Sequence, residues 1–263
     1  MVKGDAVIDP TASSGLTPWI TAAEHRYEAR VEERGESEQA ISERGVLGAD
    51  RPERVERRLG RLGTTVARAA AISEGAEAPP GMPPTGEDRI GLERLLGESN
   101  LIGAAFLAQG ARAAASIGRV AIGSGGYGTG WLISDRLMIT NNHVLEDAAS
   151  AARSQIEFRY ELGPAGEQPT PLHFRLAPEL IFETSPELDY TVVAVEPRAI
   201  GGAHLAALGF NPLVAMTGKA ILGERLNIIQ HPGGLPKQVA VRENKLIDIL
   251  DQFVHYRTDT EPG

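Results

Sequence analysis

The chain has 263 residues, 42% of them hydrophobic, with a net charge of −9 and no cysteine. That is enough apolar material for a sizeable core in one two-barrel β domain with an extension, or in two smaller domains. It excludes a disulfide framework and a cysteine metal site, and it argues against a general nucleic-acid binder, which needs clustered Lys and Arg.

The N-terminal Met1-Val-Lys-Gly-Asp-Ala-Val-Ile-Asp-Pro lacks the apolar core of a signal peptide, and no apolar run is long enough to span a membrane. Residues 1–88 carry 11 basic and 16 acidic side chains but only Trp19 and Tyr27 as aromatics. Dense charge with so little apolar surface predicts a helical or disordered extension, solvated and laced with opposite charges. Its segment Arg51–Arg61 is locally basic, which is read as an exposed helix face rather than a nucleic-acid contact. Ala78-Pro-Pro-Gly-Met-Pro-Pro-Thr-Gly86 closes the extension as a linker, because its prolines forbid helix.

Residues 89–116 form a second unit. Ile90, Leu92, Leu95 and Leu96 recur at helical spacing, and Ser99 or Asn100 can cap a helix from Leu101 to Ser116. This pair of helices is expected to pack against the domain that follows.

From residue 117 to 263 the pattern is β. Short apolar runs alternate with Gly, Pro, Asp and Asn: Arg119–Ile122, Gly130–Ser134, Leu137–Thr140, Gln155–Tyr160, His173–Leu176, Tyr190–Val195, Leu226–Gln230, Lys237–Val241 and Phe253–Tyr256. Many short strands at such spacing predict an all-β barrel or sandwich, and no strand–helix–strand rhythm supports an α/β fold.

Three blocks carry chemistry. Gly128-Thr-Gly-Trp-Leu-Ile-Ser-Asp-Arg-Leu-Met-Ile-Thr-Asn-Asn-His143-Val-Leu reads as strand, tight turn, strand and a histidine at the exit. It resembles the histidine hairpin of trypsin-like serine peptidases, G-x-G-x-x-[IV]-x-x-x-x-[IVL]-[LI]-T-x-x-H-V, with Asn141-Asn142 where the animal enzymes commonly have Ala-Ala. Glu187-Leu-Asp189-Tyr-Thr-Val-Val-Ala-Val195 resembles the family's segment in which an acidic residue opens a buried strand and orients the histidine. Phe253-Val-His-Tyr-Arg-Thr-Asp-Thr-Glu-Pro-Gly263 resembles the approach to the nucleophile in bacterial relatives, which continue G-[NS]-S-G-[SG]-P. Ile228-Ile-Gln-His-Pro-Gly-Gly-Leu-Pro-Lys237 is similar to the strand and turn that precede that loop, so His231 is read as a loop residue and not a second base.

The resemblance covers residues 117–263 and implies a mainly β fold of two orthogonal six-stranded barrels, the second incomplete in this chain. It implies a serine endopeptidase in which His143 is the base and Asp189 its orienter. A serine hydroxyl is a poor nucleophile until a neutral imidazole takes its proton, and a carboxylate on the other ring nitrogen sets the tautomer. In the same register Gly263 supplies one oxyanion-hole N–H, Asp259 either falls at the base of the specificity pocket or turns the chain by bonding its own backbone before Pro262-Gly263, and the serine comes two residues beyond Gly263. Ser124, Ser134, Ser150, Ser154 and Ser185 lack a G-x-S-G surrounding, so no nucleophile is assigned within these residues and the chain alone is expected to be inactive. Asp248 and Asp251 are weaker rivals to Asp189, since no comparable strand follows them.

The expected partners are a protein or peptide substrate, the chain's own C-terminal segment or an attached effector domain, with no membrane and no cofactor or metal. A cysteine-free bacterial-type peptidase without a leader is expected in the cytoplasm. The alternative is a non-catalytic binding or regulatory module that retains the peptidase fold. A metal hydrolase built from His143, His173 and Asp189 lacks the helical His pair such sites use.

Overall fold

The computed structural model describes residues 17–73, 104–241 and 244–257. Four helices come first: α1 (Thr17–Glu28), α2 (Val31–Ala49), α3 (Pro52–Arg61) and α4 (Val66–Ser73). Pro52 suits the first turn of α3, where its missing N–H has no helical partner to lose. Helix α2 is kinked at Gly45, whose φ of 67° is open to glycine at little steric cost. Helix α5 (Ala105–Ala115) then leads into the β region. The linker Ala78–Gly86, the helical stretch at Ile90–Leu96 and the caps Ser99 and Asn100 lie outside the described residues.

The first lobe contains β1 (Ile117–Ala121), β2 (Tyr127–Leu132), β3 (Leu137–Thr140), a short helix α6 (Ala148–Ala152), β4 (Gln155–Phe158), β5 (Leu172–Arg175), β6 (Phe182–Ser185) and β7 (Tyr190–Ala194). All ladders are antiparallel, in the order β5-β4-β1-β2-β3-β7-β6. β5 and β6 follow one another in the chain yet stand at opposite ends of that order. A bridge between Leu176, just past β5, and Val195, just past β7, joins β5 to the β7 that also pairs with β6, reinforced by Ala177 N–H to Ala194 O at 2.8 Å and Glu196 N–H to Arg175 O at 2.9 Å. The sheet therefore curls into a closed barrel in which β5 and β6 are two halves of one bent stave, and closure removes its free edges. The strands bury alternate residues, and Val120, Leu132, Met138, Ile156, Phe174 and Val193 fill the interior. Phe158 and Phe174 meet edge to face, with ring centroids 5.7 Å apart.

The second lobe, among the described residues, has two antiparallel ladders: β8 (Ile228–Gln230) with β9 (Gln238–Ala240), and β10 (Leu246–Ile249) with β11 (Val254–Tyr256). The segment Gly223–Leu226 binds the two together through Gly223 N–H to Leu246 O at 2.7 Å and Leu226 N–H to Asn244 O at 2.8 Å. The fold is thus mainly β, with its long helices at the N-terminus.

Helices α1–α3 do not stand free in solvent. Val55 and Leu59 of α3 pack with Val46, Ala69 and Ile221 in a second apolar cluster. The basic stretch Arg51–Arg61 is engaged within the molecule: Arg54 pairs with Asp50 at 2.8 Å, Arg58 with Glu224, and Arg61 donates to Thr217 O at 3.3 Å. Helix α5 is tied down at its C-terminus, where Asn211 Nδ2 donates to Ala113 O at 3.1 Å and Lys237 Nζ to Ala114 O at 2.7 Å. A cation there complements the helix dipole. Among the described residues no helix is long and apolar enough to cross a membrane.

Candidate active site

His143 sits in the turn that leaves β3. The turn is set by Val144 and Leu145 N–H groups, which donate to Asn141 O at 3.2 and 3.3 Å. Its approach to β2 depends on Gly128. A Cβ there would lie 2.5 Å from Val144 Cγ2, closer than real side chains come. The first glycine of the hairpin motif is thus a steric requirement for placing the residue beside the histidine.

Asp189 reaches the same place from the other direction, at the mouth of β7. β3 and β7 pair in register, Thr140 opposite Thr191, so the residues just outside the ladder face each other across 46 positions of sequence. Asp189 Oδ2 lies 2.9 Å and Oδ1 3.1 Å from His143 Nδ1. Oδ1 also accepts the His143 backbone N–H at 3.1 Å. Both side chains are about four-fifths buried, at 19% and 21% exposure. Burial pushes the Asp189 carboxyl up, but the bonds from the His143 ring and backbone and from Asn141 outweigh it and hold the pKa below the usual carboxylate range. Nδ1 is therefore the protonated ring nitrogen in the neutral imidazole, which leaves Nε2 as a lone-pair base. Among the described residues nothing bonds Nε2.

Behind the dyad runs a chain of hydroxyl and amide contacts. Asn142 Nδ2 donates to Thr184 Oγ1 at 2.7 Å, the Thr184 and Thr191 hydroxyls are 2.6 Å apart, and Thr191 Oγ1 donates to Leu145 O at 2.8 Å. These bonds fasten the histidine turn to β6 and β7. Sequence reading picked out neither Asn141 nor Asn142 for a role, and no local pattern marks Thr184, whose partners lie far away in the chain.

The remaining sequence candidates fall elsewhere. Asp248 lies on β10 and binds Arg30, and Asp251 is exposed beyond that strand. His173 faces Glu157 at 3.4 Å. His231 is fully buried, with Nδ1 donating to Leu235 O at 3.0 Å. Among the described residues no group of three His, Cys, Asp or Glu side chains is placed to hold a metal ion. Asp259 and Gly263 lie outside the described residues.

A family model described as a trypsin-like peptidase domain matches residues 128–263. The uncharacterized protein y4fB of Sinorhizobium fredii is 39% identical over 186 residues, covering 65% of this chain; this chain spans 28% of that protein's length. Among solved structures, the Rv3671c protease of M. tuberculosis in an inactive form is 21% identical over 57% of this chain and 68% of its own, with a TM-score of 0.37. Deg5 is 14% identical over 63% of this chain and 78% of its own, with a TM-score of 0.40. Through the match that begins at Gly128, this chain belongs to the trypsin-like peptidase family.

Proposed function

We propose that the chain supplies the histidine and aspartate of a serine endopeptidase, acting on peptide bonds of protein substrates. The observation that carries the reading is the bidentate approach of Asp189 to His143 Nδ1, at 2.9 and 3.1 Å. In this reading Nε2 takes the proton of a serine hydroxyl as its oxygen bonds to the scissile carbonyl carbon. The imidazolium, stabilised by Asp189, returns that proton to the leaving amine as the C–N bond breaks. Water then repeats the cycle on the acyl-enzyme. The serine is the one expected two residues past Gly263, with the Gly263 N–H as one oxyanion donor. Asp259 would sit in the specificity pocket and favour Arg or Lys before the cut bond, since a carboxylate in a narrow pocket pairs with a guanidinium or ammonium.

The test is covalent labelling by a fluorophosphonate. The protein carried through the expected serine should label, and His143→Ala should slow labelling by more than about a thousandfold. The 263-residue chain by itself should not label. Labelling of that chain, or indifference to His143→Ala, would sink the assignment. Full indifference of the longer protein to the probe would favour a binding module on the same fold.

A further inference from the structure

Three ion pairs join the N-terminal helices to the second lobe across long stretches of sequence. Arg30, between α1 and α2, donates from Nε and Nη2 to the two carboxylate oxygens of Asp248, each at 2.8 Å. Asp248 lies on β10 with its side chain only 5% exposed. Arg58 of α3 forks onto Glu224, which precedes β8. Glu38 of α2 meets Arg257, one residue past β11, at 2.5 Å. The first two are not exposed pairs of the weak surface kind: Arg30 forks onto a buried carboxylate and Arg58 onto a largely buried one, which gives geometry as well as attraction, whereas the Glu38–Arg257 pair is exposed and adds little by itself.

Ring contacts and a backbone bond reinforce them. His255 of β11 faces Asp248 at 3.5 Å and packs its ring on Tyr27 of α1, centroids 5.3 Å apart. The Arg26 guanidinium lies 4.3 Å over the Phe253 ring. Asp50 accepts the Leu222 N–H at 3.0 Å. The clamp grips an element that needs one. An isolated two-stranded hairpin is marginal in water. Among the described residues β10 and β11 form a two-stranded ladder whose further backbone support is the Gly223–Leu226 segment at the Leu246 end, and their register slips between Leu246 and Asp248.

We infer that helices α1–α3 form an intramolecular clamp on the β10–β11 hairpin, in which Arg30 and Asp248 are positioning residues that hold the end of β11, from which the chain continues toward the proposed nucleophile. This rests on the proposed peptidase function. Arg30 and Asp248 fix β10, and the Arg257 N–H to Lys245 O bond, at 2.9 Å, holds the chain where it leaves β11, with the Glu38–Arg257 pair beside it.

Arg30→Ala, Arg30→Lys and the charge exchange Arg30→Asp with Asp248→Arg test it in the protein carried through the expected serine. Amide hydrogen exchange in Leu246–Ile249 and Val254–Tyr256 should quicken about tenfold or more in Arg30→Ala, less in Arg30→Lys, and recover in the exchanged pair. Fluorophosphonate labelling should slow about tenfold in Arg30→Ala. For a peptide substrate the loss should fall on kcat rather than KM, and the exchanged pair should restore it. Exchange unchanged in Arg30→Ala overturns the clamp, and so does a loosened hairpin with unchanged labelling. Labelling that needs His143 but ignores Arg30 removes this inference alone. An unlabelled parent protein removes the proposed function and the inference together.

Discussion

Asn141 Nδ2 donates to both the backbone carbonyl of Asp189, at 3.2 Å, and its carboxylate Oδ2, at 3.1 Å. Asp189 has φ of 50°, in the left-handed region that non-glycine residues rarely enter. A conformation of that kind persists where its surroundings over-determine it. Here a neighbour of the histidine holds Asp189 by backbone and side chain at once.

Asn141→Ala should raise the Asp189 pKa by removing one of the bonds that hold it down, with a carboxyl carbon NMR titration as the readout. A depressed carboxyl pKa adds stability that is present above the ordinary value of 3.8 and lost as pH falls through the folded value. The variant should therefore be about 1 kcal/mol less stable at neutral pH. The difference should shrink in acid, below both values. An unmoved titration would show that Asn141 is a bystander.

Asp189→Asn should retain a hydrogen bond to the ring but reverse its direction. A carboxamide N–H offered to Nδ1 selects the tautomer with the proton on Nε2, which then cannot act as a base. Labelling of the serine-containing protein should fall about 10⁴-fold while the fold persists. A loss of only a few fold would deny Asp189 its role.

Gly128→Ala should press on Val144 and destabilise the first barrel by about 1–3 kcal/mol, as overpacking does. Val144→Ala in the same chain removes both atoms nearest the new methyl and should recover part of the loss. If the two changes simply add in thermal melts, the contact is not the cause.

The site was legible where chemistry and sterics act over short distances. The hairpin from Gly128 to His143 needs a glycine against Val144, apolar residues facing inward and a threonine whose Oγ1 bonds Thr129 O at 2.8 Å. Each requirement leaves a mark at a fixed spacing. Asp189 was legible because it opens the apolar strand Tyr190–Ala194. The strand Phe182–Ser185 was not, because its polar Glu-Thr-Ser gives no apolar alternation. β10 was missed as well: Leu-Ile-Asp-Ile buries its aspartate, and Arg30, 218 positions away, is the main partner that makes that tolerable. The charged extension read as solvated because its pattern does not reveal that Arg58 and Asp50 answer Glu224 and Leu222. Long-range pairs of that kind leave no local period.

Leu59→Ala should cost about 2–5 kcal/mol, the range for a large-to-small change at a fully buried site. Leu59 packs in one cluster with Ile221, so the loss should appear in the second lobe. Hydrogen exchange should quicken in residues 221–230 while the amides of β1–β3 keep their protection. Equal loosening of both lobes would show that they unfold as one unit.

His231 should make the protein acid-sensitive. Burial is the main cause that pulls its pKa from 6.5 to about 4, and the Lys237 and Arg119 cations add to it, against the Leu235 carbonyl and Glu161, which act the other way. Its Nε2 is buried and has no hydrogen-bond partner among the described residues, so a proton added there would be an unpaired buried charge. Above pH 6.5 the ring is neutral in both the folded and unfolded states. Between 6.5 and 4 the unfolded chain binds a proton that the folded one refuses, so stability falls on acidification, by about 3 kcal/mol at the lower end. His255, whose pKa burial also lowers, acts in the same direction, whereas Asp189 and Asp248 lose their contributions only below 3.8. His231→Asn separates the sources: its amide N–H can take the place of Nδ1 in the bond to Leu235 O, and it does not titrate. Urea melts from pH 7 to 4 should then give a flatter stability profile, the remaining slope being that of His255. The same slope in both proteins, or an imidazole NMR midpoint near 6.5 for His231, would show that this ring is open to water.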